Sequence, residues 1–292
     1  MLATSNSWRI RAGKPARFHR KLKVLAIIQC CCVAGWLGAL TDFNALAQPR
    51  KIQVRPLDGS HEFAAQYEKA YQAAKARFEA QTNNPEAAWQ FGQACFDWAD
   101  CVSSNAQREE IALQGIHACR TLIARDPYSA PGHYYLAMDL GQLATTKELG
   151  ALKIVREMEA EFKTAVTIDP KFDFGGPDRN LGLLYHQAPG WPMSIGSKAK
   201  ARAHLQKALK LAPDYPENLL NLIEADLDWS DKNGALREMK LLDELWPKAR
   251  TEFTGDKWAP SWGDWETRRV QAKKKMNQPS HALEPPHNAS GD

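Results

Sequence analysis

Eight histidines, a run of spaced glutamates and a glycine-serine-lysine turn are the places where this sequence could do chemistry. Metal-assisted hydrolysis needs imidazoles that reach one ion, as His-Glu-x-x-His does on a helix face; His133, His186 and His204 are far apart and that pattern is absent. Glu157, Glu159 and Glu161 could gather a hard cation, but Met158 and Phe162 take the packed face between them. The acids are therefore expected outward and solvated. Gly190, Gly196, Ser197 and Lys198 match a phosphate loop poorly: five residues separate the glycines, Ser and Lys are exchanged, and no strand precedes them. A Gly-x-Ser-x-Gly elbow is also absent. These exclusions predict a non-catalytic protein without cofactor or metal.

Two Gly- and Pro-bearing segments remain, Phe172–Arg179 and Ala188–Ile195. Gly175 and Gly176 permit a sharp turn, Pro177 fixes φ for a helix start, and Asp178 places a carboxylate near unsatisfied helix amides. Two readings stay open. One is a capped interhelix corner with Trp191 folded back over Tyr185. The other is a binding lip in which Arg179 holds a carboxylate and Trp191 is an apolar anchor, with Gly175, Gly176, Asp178 and Pro189 shaping it. Tyr134 and Tyr135 are adjacent, so one is expected in the core while the other, Tyr135, reaches a concave side as a candidate binding residue.

The elements that position these segments are helices. Residues 60–250 are rich in Ala, Leu, Glu and Lys with apolar residues three and four apart. Helix stops are expected at Asp126-Pro127, Asp169-Pro170, Ala212-Pro213 and Trp246-Pro247, with successive prolines 43, 43 and 34 residues apart. Spacings of that size signal a solenoid. Each stop closes a second helix with the same small-large-small or apolar pattern, Met158-Phe162-Ala165, Ala201-Leu205-Ala208 and Ala235-Met239-Leu242, with Gly115-Cys119-Leu122 a weaker copy. The preceding first helices read His133-Leu136-Ala137-Leu140, Asp178-Leu181-Gly182-Tyr185 and Leu219-Leu222-Ile223. Small residues let paired helices approach and large ones fill between them.

These residues resemble the tetratricopeptide repeat family over 85–250, best at 216–249, with about nine residues inserted between the helices of each 43-residue unit, around Gln142–Ala151 and Ala188–Lys198. The resemblance implies an all-α, right-handed solenoid of about four helix-turn-helix repeats with flanking cap helices. More narrowly, Phe172 to Arg179, Leu181 to Tyr185, Ala188 to Pro192 and Lys200 to Leu205 look like the T-component proteins of TRAP transporters. That likeness implies a periplasmic protein that binds another protein, such as a solute-binding partner, and forms oligomers. The eukaryotic regulator of microtubule dynamics proteins are similar in their inserted repeat layout, but the amino terminus points to another compartment.

That amino terminus has seven Lys or Arg in 1–23, the uncharged run Val24–Leu40, and Ala45-Leu46-Ala47. It has the order of a signal peptide cleaved after Ala47, giving a periplasmic or secreted chain, with an inner-membrane anchor through residues 24–40 as the alternative. Residues 48–292 keep 31 of 38 basic and 33 of 34 acidic residues, so the net charge of +4 belongs to the leader and no nucleic-acid partner is expected. Cys95, Cys101 and Cys119 remain after cleavage, and buried small hydrophobes are the expected role.

The expected organisation is a signal peptide at 1–47, a linker and cap helix at 48–84, repeats at 85–250, a Trp-rich basic cap at 251–276 and a disordered tail at 277–292. The expected function is a protein-binding scaffold of the bacterial envelope. A carrier of an apolar or organic-acid ligand is the alternative, and Trp191, Phe172 and Phe174 around one cavity would favour it.

Overall fold

The computed structural model describes residues 60–147 and 150–278. The leader, the linker before Ser60 and the tail after 278 lie outside the described residues, as does any test of their expected roles. Within the described residues the chain forms ten α-helices: α1 Ser60–Ala80, α2 Pro85–Cys101, α3 Asn105–Arg125, α4 Ala130–Thr145, α5 Ala151–Ile168, α6 Phe172–Gln187, α7 Lys198–Leu211, α8 Pro216–Asp228, α9 Lys232–Glu252 and α10 Ala259–Met276. The one backbone bridge among them, Gly190 to Gly196, is isolated. No described helix is long and apolar enough to cross a membrane.

Local chemistry sets the boundaries. Asn84, Ser104, Ser129, Ser197 and Asp231 each accept a backbone N–H from the first turn they precede, satisfying amides that have no intrahelical partner. Pro occupies the first turn of α2, α4, α8 and α10, where its missing N–H is harmless. At the ends of α3 and α5, Asp126 and Asp169 accept the N–H groups of Tyr128 and Lys171 two residues on, building the turn into the next helix.

The helices pack as antiparallel-reading pairs, α2 with α3, α4 with α5, α6 with α7 and α8 with α9, while α1 covers α2 and α10 lies mainly on α8. The repeated residues fill the interior. Leu136, Ala137, Phe162, Ala165, Leu181, Gly182, Tyr185, Ala201, Leu205, Ala208, Leu222, Ala235 and Met239 are all buried. A Cβ on Gly182 would meet Leu205 at 2.9 Å, so the smallest side chain sets the α6–α7 spacing.

One expected stop fails. Pro247 lies inside α9, which continues to Glu252. Pro removes one helical hydrogen bond, but Ala249 and Phe253 beyond it join an aromatic cluster with Tyr215, Trp258, Trp262 and Trp265. Packing of that last turn outweighs the lost bond. The Trp-rich segment is the outer wall of this cluster: Trp265 is buried, its ring 5.4 Å from Tyr215, and the Trp262 indole N–H donates to the Phe253 carbonyl at 2.6 Å. Arg268 enters the interior beside Glu224 at 2.8 Å and fixes α10 to α8. At the other end Tyr71 and Phe78 of α1 pack their rings on Phe91.

Candidate interaction site

The two segments singled out by sequence meet opposite fates. Asp173, Phe174 and Gly175 take consecutive left-handed conformations, with φ of 47°, 56° and 78°. Such backbone is sterically disfavoured for Asp and Phe and persists where surroundings hold it. Arg179 is what holds it. Its guanidinium donates to the Asp173 and Phe174 carbonyls at 3.0 and 3.3 Å and to the Asp173 carboxylate at 2.7 Å. Its Nε lies 3.4 Å from Glu217, and the charge sits 5.3 Å from the Tyr215 ring.

The pairing extends over three repeats. The Tyr134 hydroxyl donates to Asp173 at 2.7 Å and accepts from the Asn180 amide at 2.7 Å, tying α4 to α6. Asn218 of α8 donates to the Phe174, Ala208 and Ala212 carbonyls, closing the end of α7. Tyr215 donates to Glu217 at 3.0 Å while its ring stacks on Phe174 at 4.5 Å. Gly175 is required twice, for its positive φ and because a Cβ would lie 3.1 Å from the Ala208 carbonyl. A Cβ on Gly176 would meet Asp173 and the Tyr134 hydroxyl at 2.9 Å.

Burial governs the electrostatics of this hub. It pushes the Asp173 carboxyl up to about 6, against the opposing pull of Arg179 and the Tyr134 hydroxyl. For Arg179 burial opposes the charge, but Glu217 and Asp173 outweigh it and hold the guanidinium above its ordinary range. Burial and the neighbouring Asp173 carboxylate lift the Tyr134 hydroxyl well above its usual range. The group is therefore a permanently charged arginine held between two acids inside the protein.

Several expectations are corrected here. Arg179 is fully buried and pairs internally, so it does not present itself to a carboxylate of a partner. Asp178 caps no amide; its buried carboxylate faces α7 instead, taking His204 at 2.8 Å and Lys207 at 2.9 Å. Tyr135 does not reach a concave surface. Trp89 stacks on it at 5.8 Å with Phe172 edge-on at 6.1 Å, covering that side of α4. The three glutamates lie outward of the buried Met158 and Phe162 as expected, and each also bonds across helices, Glu157 to Arg120 at the surface, Glu159 to the Tyr185 hydroxyl and Glu161 to His133.

The second segment stays outside. Trp191 is 89% exposed and does not fold over Tyr185, whose ring is covered instead by His204 at 5.6 Å and Lys200 at 5.0 Å. Pro189 is half-buried and its carbonyl accepts from the Gly196 N–H at 2.8 Å, closing the loop at its neck. Phe172 and Phe174 lie in two different corners, the first against Tyr134 and Tyr135, the second against Tyr215 and Trp258.

Sequence reasoning missed Glu217, Asn218, Tyr215 and Asp173 as partners of Arg179. A signal was present. Polar residues follow a proline in successive first helices, His133 and Tyr134 after Pro131, Asp178 and Arg179 after Pro177, Glu217 and Asn218 after Pro216. Elsewhere, Asp139 is fully buried in α4, its carboxyl set against Gly115 and Gly92 without a hydrogen-bond partner among the described residues. Burial, then nearby Asp97, raises its pKa well above the carboxylate range. Cys95 and Cys119 are buried thiols, and the half-buried Cys101 thiol donates to the Asp97 carbonyl at 3.5 Å.

Comparison with known proteins places the fold. The family model of regulator of microtubule dynamics proteins 1–3 matches residues 57–174, under half of the chain. The crystal structure of TTC0263, a thermophilic tetratricopeptide repeat protein of Thermus thermophilus, is similar at 20% identity and a TM-score of 0.54, covering 74% of this chain and 95% of that one. The crystal structure of MamA aligns at 16% identity and a TM-score of 0.43, over 66% of this chain and 98% of that one. No curated protein sequence matches. The chain has a tetratricopeptide-like helical repeat fold.

Proposed function

We propose that this chain is a non-catalytic scaffold of the bacterial cell envelope, a repeat frame that holds another protein. One observation carries the reading. Arg179, the best candidate for meeting a substrate or partner, is buried between Asp173 and Glu217, so its charge braces the frame. Stacked helix pairs leave long side faces, the surface on which such arrays receive an extended segment or a folded partner. Phe172 and Phe174 packed in separate interhelix corners support a scaffold over a carrier with a closed ligand cavity.

Envelope placement rests on the sequence of residues 1–47, with its basic start, apolar run and Ala45-Leu46-Ala47. The resemblance of residues 172–205 to TRAP transporter T-component proteins makes a periplasmic solute-binding protein the partner to seek, with the scaffold itself assembling as an oligomer. Crosslinking in the native envelope, followed by mass spectrometry of proteins and bound small molecules, tests this. One stoichiometric protein partner is expected. A retained small molecule without a protein partner would turn the reading toward the carrier.

A further inference from the structure

We infer that the loop at Pro189–Met193 seats the repeat array on an anionic bilayer surface, with Trp191 in the headgroup layer and Lys198 and Lys200 against lipid phosphates. This rests on the envelope reading above and leaves the helical side faces to the protein partner.

The first support is that exposure of Trp191 is a held state. The Gly196 N–H donates to the Pro189 carbonyl at 2.8 Å, the Met193 and Ser194 N–H groups donate to the Gly190 carbonyl, and the Ser197 N–H donates to the Tyr185 carbonyl at 3.0 Å. Ile195 packs on the core behind them. A Cβ on Gly196 would lie 2.0 Å from the Ala188 carbonyl, so closure depends on a glycine there. The apolar tip is Trp191, Pro192 and a 48% exposed Met193, held at its neck by these bonds. Such preorganisation lowers the entropy lost on docking.

The second support is charge. Helix α7 starts directly behind the loop with Lys198, Lys200, Arg202, His204, Lys207 and Lys210, and contains no acid. Arg202 pairs with Asp226 and Asp231, and His204 and Lys207 pair with Asp178. The two that follow the loop directly in sequence, Lys198 and Lys200, are exposed and hold their ammonium groups over the Trp229 and Tyr185 rings, at 5.4 and 5.0 Å, within the fields of Asp226 and Glu159 respectively. Cations resting on ring faces remain open to phosphate on their outer side.

The third support is shape. An exposed apolar tip followed in the chain by exposed lysines suits a surface that is apolar below and anionic above; indoles partition to that boundary and basic side chains gain from its potential. Read as an uncleaved anchor, the apolar run Val24–Leu40 would keep the chain beside a bilayer; read as a signal, it would deliver the chain across one.

The full chain is reconstituted with phosphatidylglycerol vesicles whose acyl chains carry bromine, and tryptophan quenching is compared between the native and Trp191→Phe chains. Other tryptophans contribute equally to both, so the difference reports position 191. Greater quenching of the native chain is expected, with the excess lost in phosphatidylcholine, in high salt, and in a Lys198→Glu, Lys200→Glu chain of unchanged helix content. Equal quenching in the two chains would overturn the inference, and so would an excess indifferent to lipid charge. A photo-crosslinker at position 191 that joins protein and no lipid in native envelopes would also overturn it, giving the tip to a partner's pocket. Any of these failures with a protein partner still crosslinked leaves the scaffold standing; loss of that partner alone leaves the quenching untouched.

Discussion

The turn at Asp173–Arg179 and the loop at Ala188–Ser197 have similar Gly and Pro content, yet one encloses a fully buried arginine and the other carries a tryptophan that is 89% exposed. The difference lies in what each meets after one turn of chain. The first lies between α4, α7 and α8, where Arg179 meets Glu217 and Asn218 of α8 as well as the Asp173 and Phe174 groups of its own turn. The second closes on its own neck before it meets another helix. Turn composition alone therefore says where a chain bends, and the neighbouring repeat decides whether the bend becomes frame or contact.

The comparison breaks most sharply at Arg179. Arg179→Ala leaves Asp173 and Glu217 buried without their cation and is expected to lower stability by about 3–5 kcal/mol in chemical denaturation. A loss below about 1 kcal/mol would mean that the hub is not the brace described. Within the loop, Gly196→Ala drives a Cβ into the Ala188 carbonyl and should destabilise by about 1–3 kcal/mol, with faster amide exchange at Gly196 and Met193. Gly190→Ala, whose Cβ would come no closer than 3.9 Å to another group, should stay within about 0.5 kcal/mol.

Acidity separates the buried acids from the surface. Burial raises Asp173 to about 6, so the folded chain binds that proton before the unfolded chain does. Its contribution is complete below the unfolded value and is lost as pH rises through about 6. Asp139 shifts in the same direction. An Asp139→Asn chain should therefore exceed the native chain in stability near neutral pH, with the gap closing on acidification when followed by urea denaturation. The smallest effect is expected for Trp191→Ala, a change within about 0.5 kcal/mol in thermal unfolding, because the side chain packs on almost nothing.

Much of the frame was legible because it is local. The stops at Asp126-Pro127, Asp169-Pro170 and Ala212-Pro213 and the small-large alternation of Ala201, Leu205 and Ala208 are short-range signals, and the helices end and pack where they indicate. The candidate site was legible only as unusual sequence. Arg179 meets Glu217 and Asn218 one repeat away, and no spacing within its own segment announces them. Pro247 misled for a related reason: a proline is a local stop signal, and it is overridden by the aromatic packing of Phe253 against Trp258, residues outside the repeat that contains it. Tyr135 was misplaced because an open inner face was expected where Trp89 and Phe172 close it.

Helix α10 occupies the side of α8 on which the first helix of another pair would stack, and Arg268 is locked there by Glu224 and by Asn221. The array is thereby finished at that end. Another copy cannot continue it head to tail without first evicting a buried tryptophan and a buried guanidinium, so growth into filaments through this end is blocked. A longer descendant of this protein would have to gain its new pair by duplication inside the array, between existing neighbours, rather than by extension past α9.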